Sequence, residues 1–157
     1  MNASLIEIDT SSSAKNIRLA AMDLLARREH SRLELEQKLR KRFSDQLETI
    51  EVELDKLAAE GLQSDERLAE AFIRARSNRG QGPSRIRMEL KSKGLGDEVI
   101  SLAFESAEVD WYDLVREVAQ KKFGEQLETA GDLKLKAKVS RFLQGRGFSY
   151  DHISSLF

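Results

Sequence analysis

The sequence predicts an all-α protein made of three tandem three-helix repeats that form an elongated, curved array. Two observations indicate helices: Pro83 is the single proline, and the chain is rich in Ala, Leu, Glu, Lys, Gln and Arg, which favour helix. The third observation is internal similarity, because three segments share one apolar pattern. The aligned segments are SRLELEQKLRKRF (31–43), GPSRIRMELKSKGL (82–95) and LKAKVSRFLQGRGF (135–148).

Each aligned segment carries two apolar residues four positions apart, which predicts a helix that buries one narrow stripe. Each segment then reaches a basic residue and a helix stop. In the second and third segments the stop is a glycine, Gly94 or Gly147, as a left-handed C-terminal cap requires, whereas the first has Phe43. The apolar pairs are Leu35 and Leu39, Ile86 and Leu90, and Val139 and Leu143.

Further apolar stretches lie before and after each aligned segment, which predicts a first and a third helix in every repeat. The equivalent leucines Leu39, Leu90 and Leu143 are 51 and 53 residues apart, enough for three short helices with tight turns. The alternative is one irregular helical bundle, in which the three segments look alike only because all amphipathic helices use similar residues. The predicted division is a disordered tail (1–15) and repeats over 16–62, 63–108 and 109–157.

Composition limits the classes of function. The chain has no cysteine, which excludes disulfides, thiolate metal sites and a cysteine nucleophile, and fits the cytoplasm. It has no signal-peptide pattern and no run of about 18 apolar residues, so we expect no membrane segment. It has no phosphate-binding loop, and His30 and His152 are too far apart in sequence to indicate a metal site. We expect no enzymatic activity, no cofactor and no metal; a hydrolase with paired carboxylates is the enzymatic alternative.

Charge is unevenly distributed, although the formal net charge is only -1. The segment 74–93 has the strongest basic excess, with Glu89 as its one acid. Arg87 and Lys91 are like charges four positions apart without an acid at the right spacing, which indicates an external anion or acidic partner. The residues predicted to bind phosphate or an acidic partner are Arg74, Arg76, Arg79, Arg85, Arg87, Lys91 and Lys93.

The start of the middle helix gives a second indication of an anion site. Pro83 suits the first helical position and Gly82 the cap, so we expect a free, positively polarised helix end. Such an end attracts phosphate or carboxylate groups, and Arg79 and Arg85 lie near it in sequence. Two further basic stretches, 27–42 and 121–146, predict a secondary basic surface at Arg27, Arg28, Lys134, Lys138 and Arg141.

Most of the chain, about residues 17–157, resembles the bacterial RecX family, regulators of the RecA recombinase. The sequence departs from the family at Gln81, where an aromatic residue is frequent, and at Phe43, where glycine is common. The most specific matches are Asp65-Glu66-Arg67, Phe72, Gly80-x-Gly82-Pro83, Arg85-Ile86, Leu90 and Lys93-Gly94. The matching runs are LLARREHSRLELEQKLRKR, LDKLAAEGLQSDERLAEAFIRARSNRGQGPSRIRMELKSKGL and KVSRFLQGRGFSYDHI.

The resemblance implies three-helix repeats and no enzymatic activity. It also implies binding along the groove of a RecA filament on single-stranded DNA, restraining ATP hydrolysis, strand exchange and co-protease action in DNA recombination, DNA repair and the SOS response. We expect a cytoplasmic monomer whose basic residues at 74–93 engage the recombinase, the DNA backbone or both. Two alternatives stay open: a helix-turn-helix-type DNA-binding regulator with Arg85, Arg87, Met88 and Lys91 in the major groove, and a helical scaffold for an acidic protein.

Overall fold

The structure is a computed structural model that describes residues 3–128 and 131–157, with side chains described from residue 12 onward in these ranges. Within them every regular element is helical and no strand occurs, so the predicted all-α class is confirmed. No helix in the described ranges is long and apolar enough to cross a membrane. The helices are α1 Ala3–Arg27, α2 Arg32–Arg42, α3 Leu47–Ala59, α4 Asp65–Asn78, α5 Pro83–Ser92, α6 Asp97–Ala107, α7 Trp111–Phe123, α8 Leu133–Arg146 and α9 Tyr150–Ser154, with a 3-10 turn at Gly124–Glu128 after α7.

Helices α2, α5 and α8 correspond to the three aligned segments, and all of their predicted apolar pairs are buried. α2 ends at Arg42, α5 at Ser92 and α8 at Arg146, close to the predicted stops. Gly94 and Gly147 have φ of +86° and +99°, which residues with a Cβ rarely adopt. The helix stops of the second and third repeats therefore depend on glycine, as the sequence predicts.

Helix α1 begins before residue 16, the predicted start of the first repeat, and the predicted tail (1–15) stays a prediction. α1 starts at Ala3 and continues to Arg27, while Met1 and Asn2 lie outside the described residues. No proline or glycine interrupts this stretch, and buried Ile17 and Ala21 fix the helix further along the chain.

The helices form two compact units. Unit 1 comprises Met1–Leu68 with Lys93–Leu95, and unit 2 comprises Ala69–Ser92 with Gly96–Phe157. The predicted repeat boundaries stay a prediction, because this division follows spatial contacts and cuts α4. The core of unit 1 contains Ile17, Ala21, Leu35, Leu39, Ile50, Leu54 and Leu57, and a core cluster of unit 2 contains Val115, Ala119, Phe123, Val139, Leu143, Phe148 and Ile153.

Candidate functional site

Helix α5 presents a mixed basic and apolar face to solvent in unit 2. Its buried stripe is Ile86 and Leu90, and the side chain of Met88 is 65% exposed. A shallow depression on the exposed face is lined by Pro83, Ser84, Arg87, Met88 and Lys91. An exposed methionine among cations is typical of a surface that binds a partner, because its flexible thioether adapts to different shapes.

Two of the predicted cations in unit 2 keep their charge uncompensated. Arg74 on α4 and Arg79 in the α4–α5 turn are exposed, and neither side chain forms a hydrogen bond or an ion pair in the described part of the chain. These two guanidinium groups are therefore available to an anionic partner.

Two other predicted cations share the single acid of the segment. Glu89 lies 3.3 Å from Nε of Arg85 and 3.7 Å from Nη1 of Arg76. The Arg76 guanidinium also lies 4.6 Å from the ring centroid of Phe72, which holds it in a cation–π contact. One carboxylate therefore faces two arginines, and about half of their charge is compensated.

The expectation that no acid relieves Arg87 and Lys91 is wrong for Lys91. Its Nζ lies 3.1 Å from a carboxylate oxygen of Asp97 at the start of α6. Asp97 follows six positions later, beyond the turn, where rules for pairs within one helix do not apply. Arg87 forms no ion pair in the described residues; its guanidinium lies 4.7 Å from the ring centroid of Phe104. Arg87 is thus the member of the pair that retains a free charge.

The expectation of a free, anion-binding start of α5 is also wrong. The amide of Gly82 donates to the carbonyl of Arg146 at 2.7 Å, and the amide of Ser84 donates to the carbonyl of Gly147 at 2.9 Å. A Cβ on Gly82 would lie 2.5 Å from the carbonyl oxygen of Gly147 and 2.5 Å from the amide nitrogen of Phe148. The carboxyl end of α8 therefore caps α5, and Gly82 permits this close backbone approach.

Three further predicted cations lie in unit 1, and all have acidic partners. Nζ of Lys93 and Nη2 of Arg28 lie 3.1 and 2.9 Å from the same oxygen of Glu34. Nη2 of Arg27 lies 3.0 Å from Asp23. These contacts offset part of the charge of the three residues, and their role in binding stays a prediction. The remaining part of the secondary surface is on α8, where Lys134, Lys138 and Arg141 are exposed and have no ion pair in the described residues.

Glu34 is the centre of a polar cluster at the start of α2, which the sequence analysis missed. Ser31 caps the helix: its hydroxyl accepts from the amide of Glu34 at 3.0 Å and donates to the carbonyl of Lys93 at 2.7 Å. Burial would raise the pKa of Glu34, but hydrogen bonds from Arg28, the Ser31 amide and Lys93 lower this pKa to about 2. The signal was present, since Ser31-x-x-Glu34 matches the capping-box pattern.

A second group of cations, also missed, lies around a cleft in unit 2. Lys121 and Lys122 of α7 and Arg146 of α8 line it together with Arg79. The sequence shows a basic stretch there, but the proximity of these residues to Arg79 depends on how the helices pack. Among the described residues, no group of three or more histidine, cysteine, aspartate or glutamate side chains is arranged to hold a metal ion.

Comparison with known proteins places the chain beside one family of regulators. Models of the first, second and third three-helix domains of RecX match residues 18–57, 64–103 and 108–157, which confirms the three tandem three-helix repeats. Regulatory protein RecX of Pseudomonas putida (strain GB-1) is 52% identical over 141 residues, which is 89% of this chain and 88% of that protein. Regulatory protein RecX of Ectopseudomonas mendocina (strain ymp) is 46% identical over 140 residues, which is 89% of this chain and 91% of that protein.

The fold is also found in a solved structure. The crystal structure of RecX from Lactobacillus salivarius superimposes with a TM-score of 0.77 at 25% sequence identity. The match covers 93% of this chain and 95% of that chain.

Proposed function

Because the chain belongs to the RecX family of regulatory proteins, we propose that it binds the RecA recombinase and RecA filaments on single-stranded DNA and restrains their activity. The restrained activities are ATP hydrolysis, strand exchange and co-protease action, in DNA recombination, DNA repair and the SOS response. The protein acts as a cytoplasmic monomer without catalysis or a cofactor of its own. Its relatives are named regulatory proteins, which supports a role in control.

One observation of the structure carries the proposal: Arg74, Arg79 and Arg87 of unit 2 have no acidic partner in the described residues. A protein with a formal net charge of -1 gains nothing in general solubility from these unpaired arginines. A filament of protein on DNA presents carboxylates and phosphates, and complementary charge increases the rate and selectivity of association. Met88 adds an apolar contact beside Arg87.

The acidic stretches 45–70 and 97–117 support a preference for the filament over bare DNA. A protein that binds DNA mainly through phosphates needs a broad basic surface, and its affinity falls steeply with salt. Here few of the predicted cations are unpaired, and others are bound to acids such as Glu89 and Asp97. We expect weak binding to bare single strands and stronger binding to the filament.

The test reverses the charge of two of these three unpaired arginines with the variant Arg74→Glu/Arg87→Glu. We expect half-inhibition of DNA-dependent ATP hydrolysis by RecA to need at least about tenfold more of this variant. The matched control is Lys15→Glu/Lys41→Glu, which changes the net charge equally at exposed lysines without ion pairs in the described residues. A folded Arg74→Glu/Arg87→Glu variant that inhibits as well as the parent contradicts the proposal.

A second candidate function is a helix-turn-helix-type regulator that binds duplex DNA. It is favoured by the exposed face of α5, where Arg87, Met88 and Lys91 lie together after a short turn from α4. Co-sedimentation with RecA filaments, bare single strands and duplex across a salt series separates the two candidates. Sequence-specific duplex binding that survives competitor DNA favours the second, and a preference for filaments favours the first.

A further inference from the structure

We propose that a cleft of unit 2, formed by α7, α8 and the α4–α5 turn, binds an acidic peptide segment that carries an apolar side chain and belongs to a partner protein. This inference rests on the proposed function, since it assigns the cleft to the protein component of the filament and not to its DNA. The cleft has a volume of about 350 Å³, which suits one or two side chains with their backbone.

The inner wall of the cleft is apolar. Leu114, Val118 and Phe142 line it, and all three are half-buried and pack against the core cluster of unit 2. The turn that closes one side is tightly packed, because a Cβ on Gly80 would lie 3.0 Å from a methyl carbon of Val118. Packing on the core holds the wall in place before a ligand arrives, which lowers the entropy cost of binding.

The rim of the cleft is basic. Arg79, Lys121, Lys122 and Arg146 line it against a single acid, Glu117, and none of the four cations forms an ion pair in the described residues. Four neighbouring cations repel each other and are stabilised by a ligand with several negative charges.

The Phe142 ring fixes two of these cations above the apolar wall. Nζ of Lys122 and the guanidinium carbon of Arg146 each lie 5.4 Å from the ring centroid. Such contacts hold a cation in position while its remaining hydrogen-bond donors stay free. Lys122 and Arg146 can therefore receive carboxylates next to an apolar side chain in the cleft.

The combination of an apolar wall and a basic rim favours peptide over DNA. A phosphodiester backbone has no apolar side chain that would fill the cleft against Leu114 and Val118, so it would leave most of this wall uncovered. A base would have to stack on Phe142, whose ring already contacts two cations. In a peptide with a leucine or phenylalanine between aspartates or glutamates, the apolar side chain contacts the wall and the carboxylates contact the basic rim.

The experiment measures fluorescence anisotropy with three labelled probes of about twelve units each. The first is a peptide of aspartates and glutamates with two central leucines, the second has serines in place of the leucines, and the third is oligo-deoxythymidine. The proteins are the parent, Lys121→Glu/Lys122→Glu and the control Lys15→Glu/Lys41→Glu. We expect the leucine peptide to bind the parent and the control most tightly, and to bind the cleft variant at least about tenfold more weakly.

Three results would overturn the inference. They are equal binding of the leucine peptide by the parent and the cleft variant, equal binding of the leucine and serine peptides by the parent, and tighter binding of oligo-deoxythymidine that the cleft variant loses. The last result would identify a phosphate site.

The outcome is separable from that of the proposed function, because these probes contain no recombinase. The Arg74→Glu/Arg87→Glu variant leaves the cleft intact, and we expect it to bind the leucine peptide like the parent. Cleft-dependent peptide binding by a protein that does not inhibit RecA would uphold the cleft and contradict the proposed function. Inhibition of RecA without cleft-dependent peptide binding would uphold the proposed function and contradict the cleft.

Discussion

Ser31 and Gly82 occupy equivalent positions at the starts of α2 and α5, and each donates a hydrogen bond to a carbonyl that comes later in the chain. In unit 1 the Ser31 hydroxyl donates to the carbonyl of Lys93, and in unit 2 the Gly82 amide donates to the carbonyl of Arg146. Lys93 and Arg146 are equivalent as well. The same contact is thus made by a side chain in one unit and by the main chain in the other.

The third helical residue explains much of this difference. In α2 it is Glu34, which is opposite in charge to Lys93 and forms an ion pair with it at 3.1 Å. In α5 it is Arg85, which has the same charge as Arg146 and instead contacts Glu89 and the carbonyl of Gly145. The contact in unit 1 therefore depends on charge and on pH, whereas that in unit 2 depends on the space between two backbones.

The largest expected effect is that of Gly82→Ala. The added Cβ meets backbone atoms of Gly147 and Phe148, which cannot move aside as a side chain can. We expect a loss of at least about 3 kcal/mol in the free energy of unfolding, measured by urea denaturation followed by the fluorescence of Trp111 in unit 2.

The matched control is Gly145→Ala in α8, where a Cβ meets nothing within 4 Å. This substitution should be neutral or stabilising by up to about 1 kcal/mol, because alanine favours helix more than glycine does. If both substitutions changed the free energy of unfolding by the same amount, the close approach of two backbones at Gly82 would not make this position more sensitive than Gly145.

The next effect is the sensitivity of the α2 start to acid. The pKa of Glu34 is about 2 in the folded chain, against an ordinary value of 4.5. The unfolded chain takes up this proton first as pH falls, so the stabilisation is complete above about pH 4.5 and is lost towards pH 2. We expect this loss to reach about 2 to 3 kcal/mol.

Urea denaturation between about pH 5 and pH 2 measures this loss of stability in the parent and in two variants. Glu34→Gln should remove most of this pH dependence, and Glu48→Gln, at an exposed glutamate without an ion pair in the described residues, should not. An acid dependence that is unchanged in Glu34→Gln would show that the cluster does not act as described.

A smaller effect is expected from Ser31→Ala. Ser31 is fully buried. The substitution removes the hydroxyl that accepts from the Glu34 amide and donates to the Lys93 carbonyl. We expect a loss of about 1 to 2 kcal/mol, measured by urea denaturation followed by circular dichroism. Ser149→Ala, which removes the cap of α9 at a partly exposed position, should cost less. The reverse order would contradict the special role of Ser31.

The smallest effect concerns His30, which is buried beside the start of α2. Its Nδ1 lies 3.1 Å from the carbonyl of Arg28 and its Nε2 3.0 Å from Nζ of Lys38. Burial lowers the pKa of His30, and the charges of Arg28 and Lys38 lower it further, while the Arg28 carbonyl and Glu34 oppose this. The unfolded chain therefore binds a proton more readily, and stability falls as pH drops below about 6.5.

Urea midpoints at about pH 7.5 and about pH 5.5 measure the His30 effect. The difference between the two midpoints should shrink in His30→Gln. His152→Gln serves as the comparison, because burial also lowers the pKa of His152, in unit 2. A difference that His152→Gln alone removes would assign the pH dependence to the other unit.

Local patterns in the sequence were sufficient to predict most of the helices, because apolar pairs such as Leu35 and Leu39 and stops such as Gly94 determine the conformation of residues close to them in the chain. They did not predict the partners of the cations. Lys91 pairs with Asp97 across a turn, and the Gly82 amide bonds to Arg146 far along the chain. Such contacts depend on packing between helices, so the number of free cations could not be obtained from spacing alone.

Phe43 stands where the second and third repeats have Gly94 and Gly147, and its half-buried ring packs on the core of unit 1. At the other end, Leu135 occupies the position of Ser31 and Gly82 and packs on the core cluster of unit 2. We therefore expect that unchanged copies of the first or the last repeat would not pack as additional repeats. The middle repeat has both Gly82 and Gly94, and it is the unit from which an engineer would build a longer chain.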